Sequence, residues 1–420
     1  MRAASQRPLC AVFALVLAAV ALSACGKGGG EQASISGGGP TRKLAPVAAQ
    51  GAVSVATRNT TRLGGADVAA DAAAVARAVY PGLTPTTRPQ AVVLVDQHDW
   101  PAALSASVLA SAPIGAPILF SEGETLPEVS RQTLEAMRPL GAPTLGGAQV
   151  IRIGTSAALP AGYLARPLRA GTPALTATNV EQLLVKLDRG SAPRQVIVLA
   201  ASAARAMAMP AAGLAAESGA PILLVTAARV PAATAAVLTG LHHPAIYVID
   251  APAVGRHTLR ELRSFGPVTS IPSGRAPATP STATATGAGV VENAIEVARF
   301  TDGTFGWGVK EPGHGLVFAN LARPLDAPAS ALLSATGDYG PLLLLASATA
   351  VPSALTHYLS DIQPAYASPQ FPPVRGAYNH GWLIGDEQAI ATVIQAEIDS
   401  MLEIAPRAQT SEEASESQVE

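Results

Sequence analysis

The stretch Gly115-Ala-Pro-Ile-Leu-Phe120 recurs as Gly219-Ala-Pro-Ile-Leu-Leu224 and, more loosely, as Tyr339-Gly-Pro-Leu-Leu-Leu-Leu345. Aligned on Pro117, Pro221 and Pro341, the surroundings repeat as well. Upstream by 24 residues lie Val93, Ile197 and Val317, each inside a short apolar run (AVVLVDQ, QVIVLAA, GLVFANL). Unbroken β-branched runs suit strands buried on both faces. Downstream by 10 or 11 residues stand Pro127, Pro231 and Pro352, each opening a helical pattern. Proline fits a first helical turn because its missing N–H would have no partner there. A further apolar run closes each unit, at Val150–Gly154, Ile246–Asp250 and Trp382–Gly385. Ala-rich amphipathic segments lead in at Asp67–Tyr80, Asn179–Arg189 and Val291–Phe300. Strand, helix, strand, helix, strand with apolar strands predicts an α/β fold of three tandem Rossmann-like parallel-sheet modules, with right-handed crossovers.

Composition sets the limits around this unit. The 420 residues are 49% hydrophobic and 14% charged, enough to bury a sizeable core in several domains. Arg2 and Arg7 precede an apolar run, Pro8 to Ala24, that is short for a membrane span. It ends Leu22-Ser23-Ala24-Cys25-Gly26, which resembles a bacterial lipobox. That resemblance implies cleavage before Cys25, diacylation of its thiol and retention at the membrane through the lipid. With Cys10 removed and Cys25 lipidated, no thiol is left in the fold for a disulfide, a nucleophile or a metal.

The expected organisation is a lipoprotein signal peptide over 1–24 and a Gly-rich flexible tether over 25–52. Module 1 then covers 53–170 and module 2 covers 171–271. A Pro/Ser/Thr/Ala linker fills 272–287, module 3 covers 288–405, and a disordered acidic tail occupies 406–420. Setting aside Arg2, Arg7 and the tail acids at 412, 413, 416 and 420, basic and acidic residues balance at 26 each. A neutral fold offers no global field for nucleic acid, so polyanion binding would need a local cluster of Arg.

The ordered set of motifs resembles the cell wall-binding repeat 2 family, over roughly residues 53–400. Its repeat opens with Arg-hydrophobic-x-Gly-x-Asp-Arg; here Arg62-Leu63-Gly64-Gly65-Ala66-Asp67 fits, with Val68 where the second Arg is usual. The family's middle Asn-Phe-x-Asp-Ala-Leu segment corresponds to Asp99-Trp100-Pro101-Ala102-Ala103-Leu104, with Ala102 in place of the acid. Module 3 keeps an acid there, Asp326, while module 2 has Met207 nearby and no acid. The family's closing Gly-Gly is reduced to Gly154, Asp250 and Gly385. The resemblance implies noncovalent attachment to anionic cell-wall polymer and modules packed around a pseudo-threefold axis. It associates anchoring with Ile118, Leu119 and Phe120, with Ile222, Leu223 and Leu224, and with Leu342, Leu343 and Leu344. The same residues read equally as central strands that hold a sheet.

Ligands of open α/β folds sit beyond the C-terminal strand ends, which places Ser121, Glu122, Thr226 and Ser347 beside any cleft. Arg62, Arg152, Arg205, Arg323 and Arg375 are candidate polyanion contacts, because a guanidinium fork matches phosphate or carboxylate. Arg205 and Arg323 follow their module's first strand and are preferred. The histidines at 98, 242, 243, 257, 314, 357 and 380 show no zinc-ligand spacing. No Gly-x-Ser-x-Gly elbow occurs. The expectation is a lipid-anchored, non-catalytic protein on the outer face of the cytoplasmic membrane. It would bind anionic glycopolymer without metal or cofactor, and its protein partners are unknown. A solute-binding lipoprotein of an importer, a wall hydrolase and a scaffold with eroded sites are the alternatives.

Overall fold

The computed structural model describes residues 53–271, 287–335, 339–366 and 377–406. The signal peptide, the tether with Cys25, nearly all of the linker, Arg375 and all but the first residue of the tail lie outside these.

The first unit runs β1 (Val53–Ala56), β2 (Thr60–Gly64), α1 (Val68–Val79), β3 (Val92–Asp96), α2 (Trp100–Ala106), β4 (Ile118–Ser121), α3 (Glu128–Met137), β5 (Val150–Ile153) and β6 (Ala165–Leu168). The second runs α4 (Pro173–Leu187), β7 (Gln195–Ala200), α5 (Arg205–Ala208), α6 (Pro210–Ser218), β8 (Ile222–Val225), α7 (Ala232–Gly240), β9 (Ala245–Ile249), α8 (Ala251–Val254), α9 (Arg256–Leu262) and β10 (Val268–Ile271). The third runs α10 (Gly287–Arg299), β11 (Gly315–Asn320), α11 (Asp326–Ser334), β12 (Tyr339–Leu345), α12 (Ser353–Asp361), β13 (Ala365–Tyr366), β14 (His380–Ile384), α13 (Thr392–Met401) and β15 (Ala405–Pro406).

The sequence repeat is a hydrogen-bonding register. Val93 pairs with Ile118, Ile197 with Ile222 and Val317 with Leu342, all in parallel. Each residue 24 positions before the shared proline therefore sits opposite the residue just after it. The three sheets have orders β4-β3-β5-β6, β8-β7-β9-β10 and β12-β11-β14-β2-β1. Their interior is apolar as composition demands: Ile118, Leu119 and Phe120 are at most 2% exposed, and so are Ile222 to Leu224 and Leu342 to Leu344.

The fourth strand of each sheet is not visible in the repeat. It is β6 in the first sheet and β10 in the second. In the third it is β2, from the other end of the chain, which pairs with β14 so that Arg62 lies opposite Leu383. Residues 53–64, at the head of the expected module 1, thus complete the sheet of the expected module 3, with β1 antiparallel at the edge.

Helix α2 with its 3₁₀ extension, helix α6 and helix α11 pack against one another between the sheets, and α1 packs on α11. Small residues permit the close approach: a Cβ on Gly213 of α6 would lie 2.7 Å from Ser334 Oγ of α11. The Gly-rich run 303–308, which has no phosphate-loop setting in the sequence, forms a clamp on the second sheet. Phe305 stacks on Tyr247 of β9 at 3.9 Å, and the Tyr247 hydroxyl donates to Asp302 Oδ2 at 2.6 Å.

Candidate functional site

Parallel strands send their C-terminal turns to one end, so each sheet has a mouth there. The closing residues Gly154, Asp250 and Gly385 occupy this end. All three have positive φ, at 67°, 55° and 104°. A left-handed backbone favours glycine, and Asp tolerates it better than most residues. A second repeated feature is the four-residue turn after each edge strand. Glu122 bridges to Thr125 and Ser347 to Ala350, while the Thr226 amide donates to the Arg229 carbonyl at 3.1 Å.

The mouth of the third sheet collects three of the sequence candidates. Arg62 is only 5% exposed. Its Nε donates to Gln395 Oε1 at 3.0 Å, and its Nη1 donates to the carbonyls of Gly385 and Asp386 at 3.1 and 2.8 Å. Arg323 reaches Asp71 of α1 in a close ion pair, Asp326 Oδ2 at 3.2 Å and Asp386 Oδ1 at 3.5 Å. Asp71 and Asp326 are fully buried. Asp71 Oδ1 also accepts from the Gly65 amide at 2.8 Å. Burial, partly offset by Arg323, pushes Asp71 up to about 6. Burial and the facing Asp71 charge push Asp326 well above the usual carboxylate range. Arg323 therefore faces two acids that share its one charge, with Asp386 at the rim.

Residues 62–162 match the family model described as Cell wall binding domain 2 (CWB2). This stretch is similar to a cell wall binding domain 2. It opens on Arg62 within the third sheet and ends beyond β5 of the first, so the matched stretch straddles two sheets. A search of curated proteins finds no match. Among solved structures, Cwp6 from Clostridium difficile is similar at a TM-score of 0.60 and 17% identity, covering 84% of this chain and 51% of that one. Cwp8 from Clostridium difficile is similar at a TM-score of 0.59 and 15% identity, covering 82% and 52%. The chain spans about half the length of these structures. At such identity the likeness is one of fold.

Within the matched stretch, Ile118, Leu119 and Phe120 are buried in the core and offer almost no surface to solvent. The same holds for Ile222 to Leu224 and Leu342 to Leu344, so direct contact through the nine strand residues is not what the burial supports. Asp326 is sealed from solvent, and Arg62 and Arg323 are engaged by groups of the chain itself. Arg152 sits in β5 and donates to the Ala157 carbonyl at 3.3 Å. Arg205, at the mouth of the second sheet, is exposed. Sequence reasoning missed Asp71, Asp386 and Gln395. Asp71 lies four residues after the helix-capping Asp67 with nothing in the sequence to mark it, and its partner is 252 residues away.

Proposed function

We propose that the chain attaches noncovalently to an anionic glycopolymer of the cell wall and is held to the outer face of the bacterial cytoplasmic membrane through a lipid on Cys25. The CWB2 match carries the wall-binding part of this reading. The lipobox-like Leu22-Ser23-Ala24-Cys25 supports the membrane part. The chain acts by binding and not by catalysis. The groups that line the third mouth are tied to one another in a neutral, buried set, which suits a scaffold better than general acid–base work. Repeated weak contacts along one polymer would add through avidity.

The test is sedimentation of fragment 53–405 with native walls, before and after acid extraction of their anionic polymers. Pelleting that extraction abolishes and high salt weakens supports polymer attachment. Absence of pelleting in every condition removes it and favours the solute-binding or scaffold alternatives. Palmitate labelling that is lost in Cys25→Ala tests the lipid.

A further inference from the structure

The three mouths share a backbone and differ in charge. In the first, Asp96, Asp99, Glu122 and Glu124 gather beyond β3 and β4. Asp96 Oδ1 accepts from the Gly123 and His98 amides at 3.2 and 3.0 Å, which keeps its charge at this end. The exposed Arg169, just past β6, stands against these four acids, so the balance at this mouth is negative. In the third, Arg323 is met by three carboxylates and Arg62 is buried. The second is different. Beyond β7, β8 and β9 stand Arg205 at the start of α5, Arg229 in the turn after β8 and Arg256 at the start of α9, all exposed. None of the three has an ion-pair partner among the described residues.

The chain holds these turns together. The Ala201 amide donates to the Val225 carbonyl at 2.8 Å, which joins the turn that leads to Arg205 to the one that carries Arg229. The Thr258 hydroxyl donates to the carbonyls of Thr226 and Ala227 at 2.9 and 3.1 Å, which fixes the Arg256 helix against that same turn. Gly255, at φ 81°, lets the backbone pass: a Cβ there would lie 3.0 Å from the Ala227 carbonyl oxygen. Among the described residues, two acids lie at this end. Glu261 Oε2 is turned to the Val230 amide at 2.8 Å, and Asp250 is partly buried at the left-handed close of β9. Three exposed guanidinium groups thus stand against two carboxylates, a positive balance at this end.

We propose that the mouth of the second sheet is the polyanion-binding site of this chain, with Arg205, Arg229 and Arg256 taking phosphate or carboxylate groups of the polymer. The other two mouths hold the fold together. This rests on the wall-binding reading and narrows it to one site. Arginine suits it because its fork engages two oxygens of one anionic group and stays charged at any pH of the envelope.

The experiment uses the full chain in detergent, with native walls and with long-chain polyphosphate as a defined anionic probe. The variants are the triple Arg205→Gln/Arg229→Gln/Arg256→Gln and the double Glu122→Gln/Glu124→Gln. The expected result is a fall of about tenfold or more in polyphosphate affinity for the triple variant, with a shallower dependence on salt. The double variant is expected to bind as the parent does. Melting of the triple variant should match the parent, since the three side chains hold no ion pair. An unchanged affinity in the triple variant overturns the proposal, as does a parent chain that fails to bind polyphosphate. A parent that binds polyphosphate through these arginines and does not pellet with walls leaves the site standing and removes the wall-binding reading instead.

Discussion

Arg323 shows how the setting of a residue decides its role. Read in sequence, it is an arginine after a strand, at a place where ligands bind. In the fold it is surrounded by Asp71, Asp326 and Asp386. Removing it strands two buried acids, a loss that costs about 3 kcal/mol. Arg323→Gln should therefore lower the unfolding free energy by about that amount in urea titrations. Asp326→Asn, which mimics the protonated acid, should cost less than about 1 kcal/mol. The proton balance gives a further test. Asp71 and Asp326 both have raised affinities for protons when folded. Their contribution is fully present below about pH 4 and is lost as pH rises through about 6 for Asp71 and higher for Asp326. The urea midpoint should fall between about pH 5 and about pH 8, and Asp326→Asn should flatten that fall. A parent and a variant with the same slope would place the pH dependence elsewhere.

At the scale of elements, the repeat was legible because it is built from register. A strand and its neighbour are joined through a crossover of fixed length, so Val93 and Ile118, or Ile197 and Ile222, recur at constant spacing. The prolines that open α3, α7 and α12 were legible for the same reason. A finer repeat sits three residues beyond each. The Ser130 hydroxyl donates to the Phe120 carbonyl at 2.9 Å, and the Thr234 hydroxyl donates to Leu224 at 2.7 Å. β4 and β8 are edge strands, and these hydroxyls satisfy carbonyls that no further strand meets. The third unit has buried Leu355 there instead. Thr234→Ala leaves a buried carbonyl without that donor and should cost about 1–2 kcal/mol by chemical denaturation. Thr234→Ser should recover most of it. The fourth strands were not legible. Ala165–Leu168 alternates poorly and includes Pro167, and its pairing on β5 is settled by the sheet edge it reaches, not by its own pattern.

At the scale of the whole described fold, the units are not independent beads. Helices α2, α6 and α11 share one interior, Phe305 clamps the second sheet, and α1 is tied to α11 by Asp71 and Arg323. Calorimetry should therefore show one dominant transition and not three. Deleting 53–66 takes β1 and β2 from the third sheet while leaving every strand of the first. If the fold is cooperative, that deletion lowers the melting temperature of the whole. Loss of signal from the third unit alone would show that the units melt separately. The site candidates show the same limit on reading a chain as a row of modules. Arg62 belongs by sequence to the first unit, yet it binds Gln395, 333 residues away.

The pairing of β2 with β14 has a consequence in time. A ribosome delivers β2 (Thr60–Gly64) long before β14 (His380–Ile384), so the early strand waits, one edge open, while the two intervening sheets are synthesised. Contacts of such long separation form slowly, because a large loop must close before they return any free energy. Closure of the third sheet is thus the natural last step of folding. Until it happens the newborn protein presents an unfilled strand position and a loose strand that fits it, which also makes exchange of that strand between two neighbouring chains the characteristic way for this fold to go wrong.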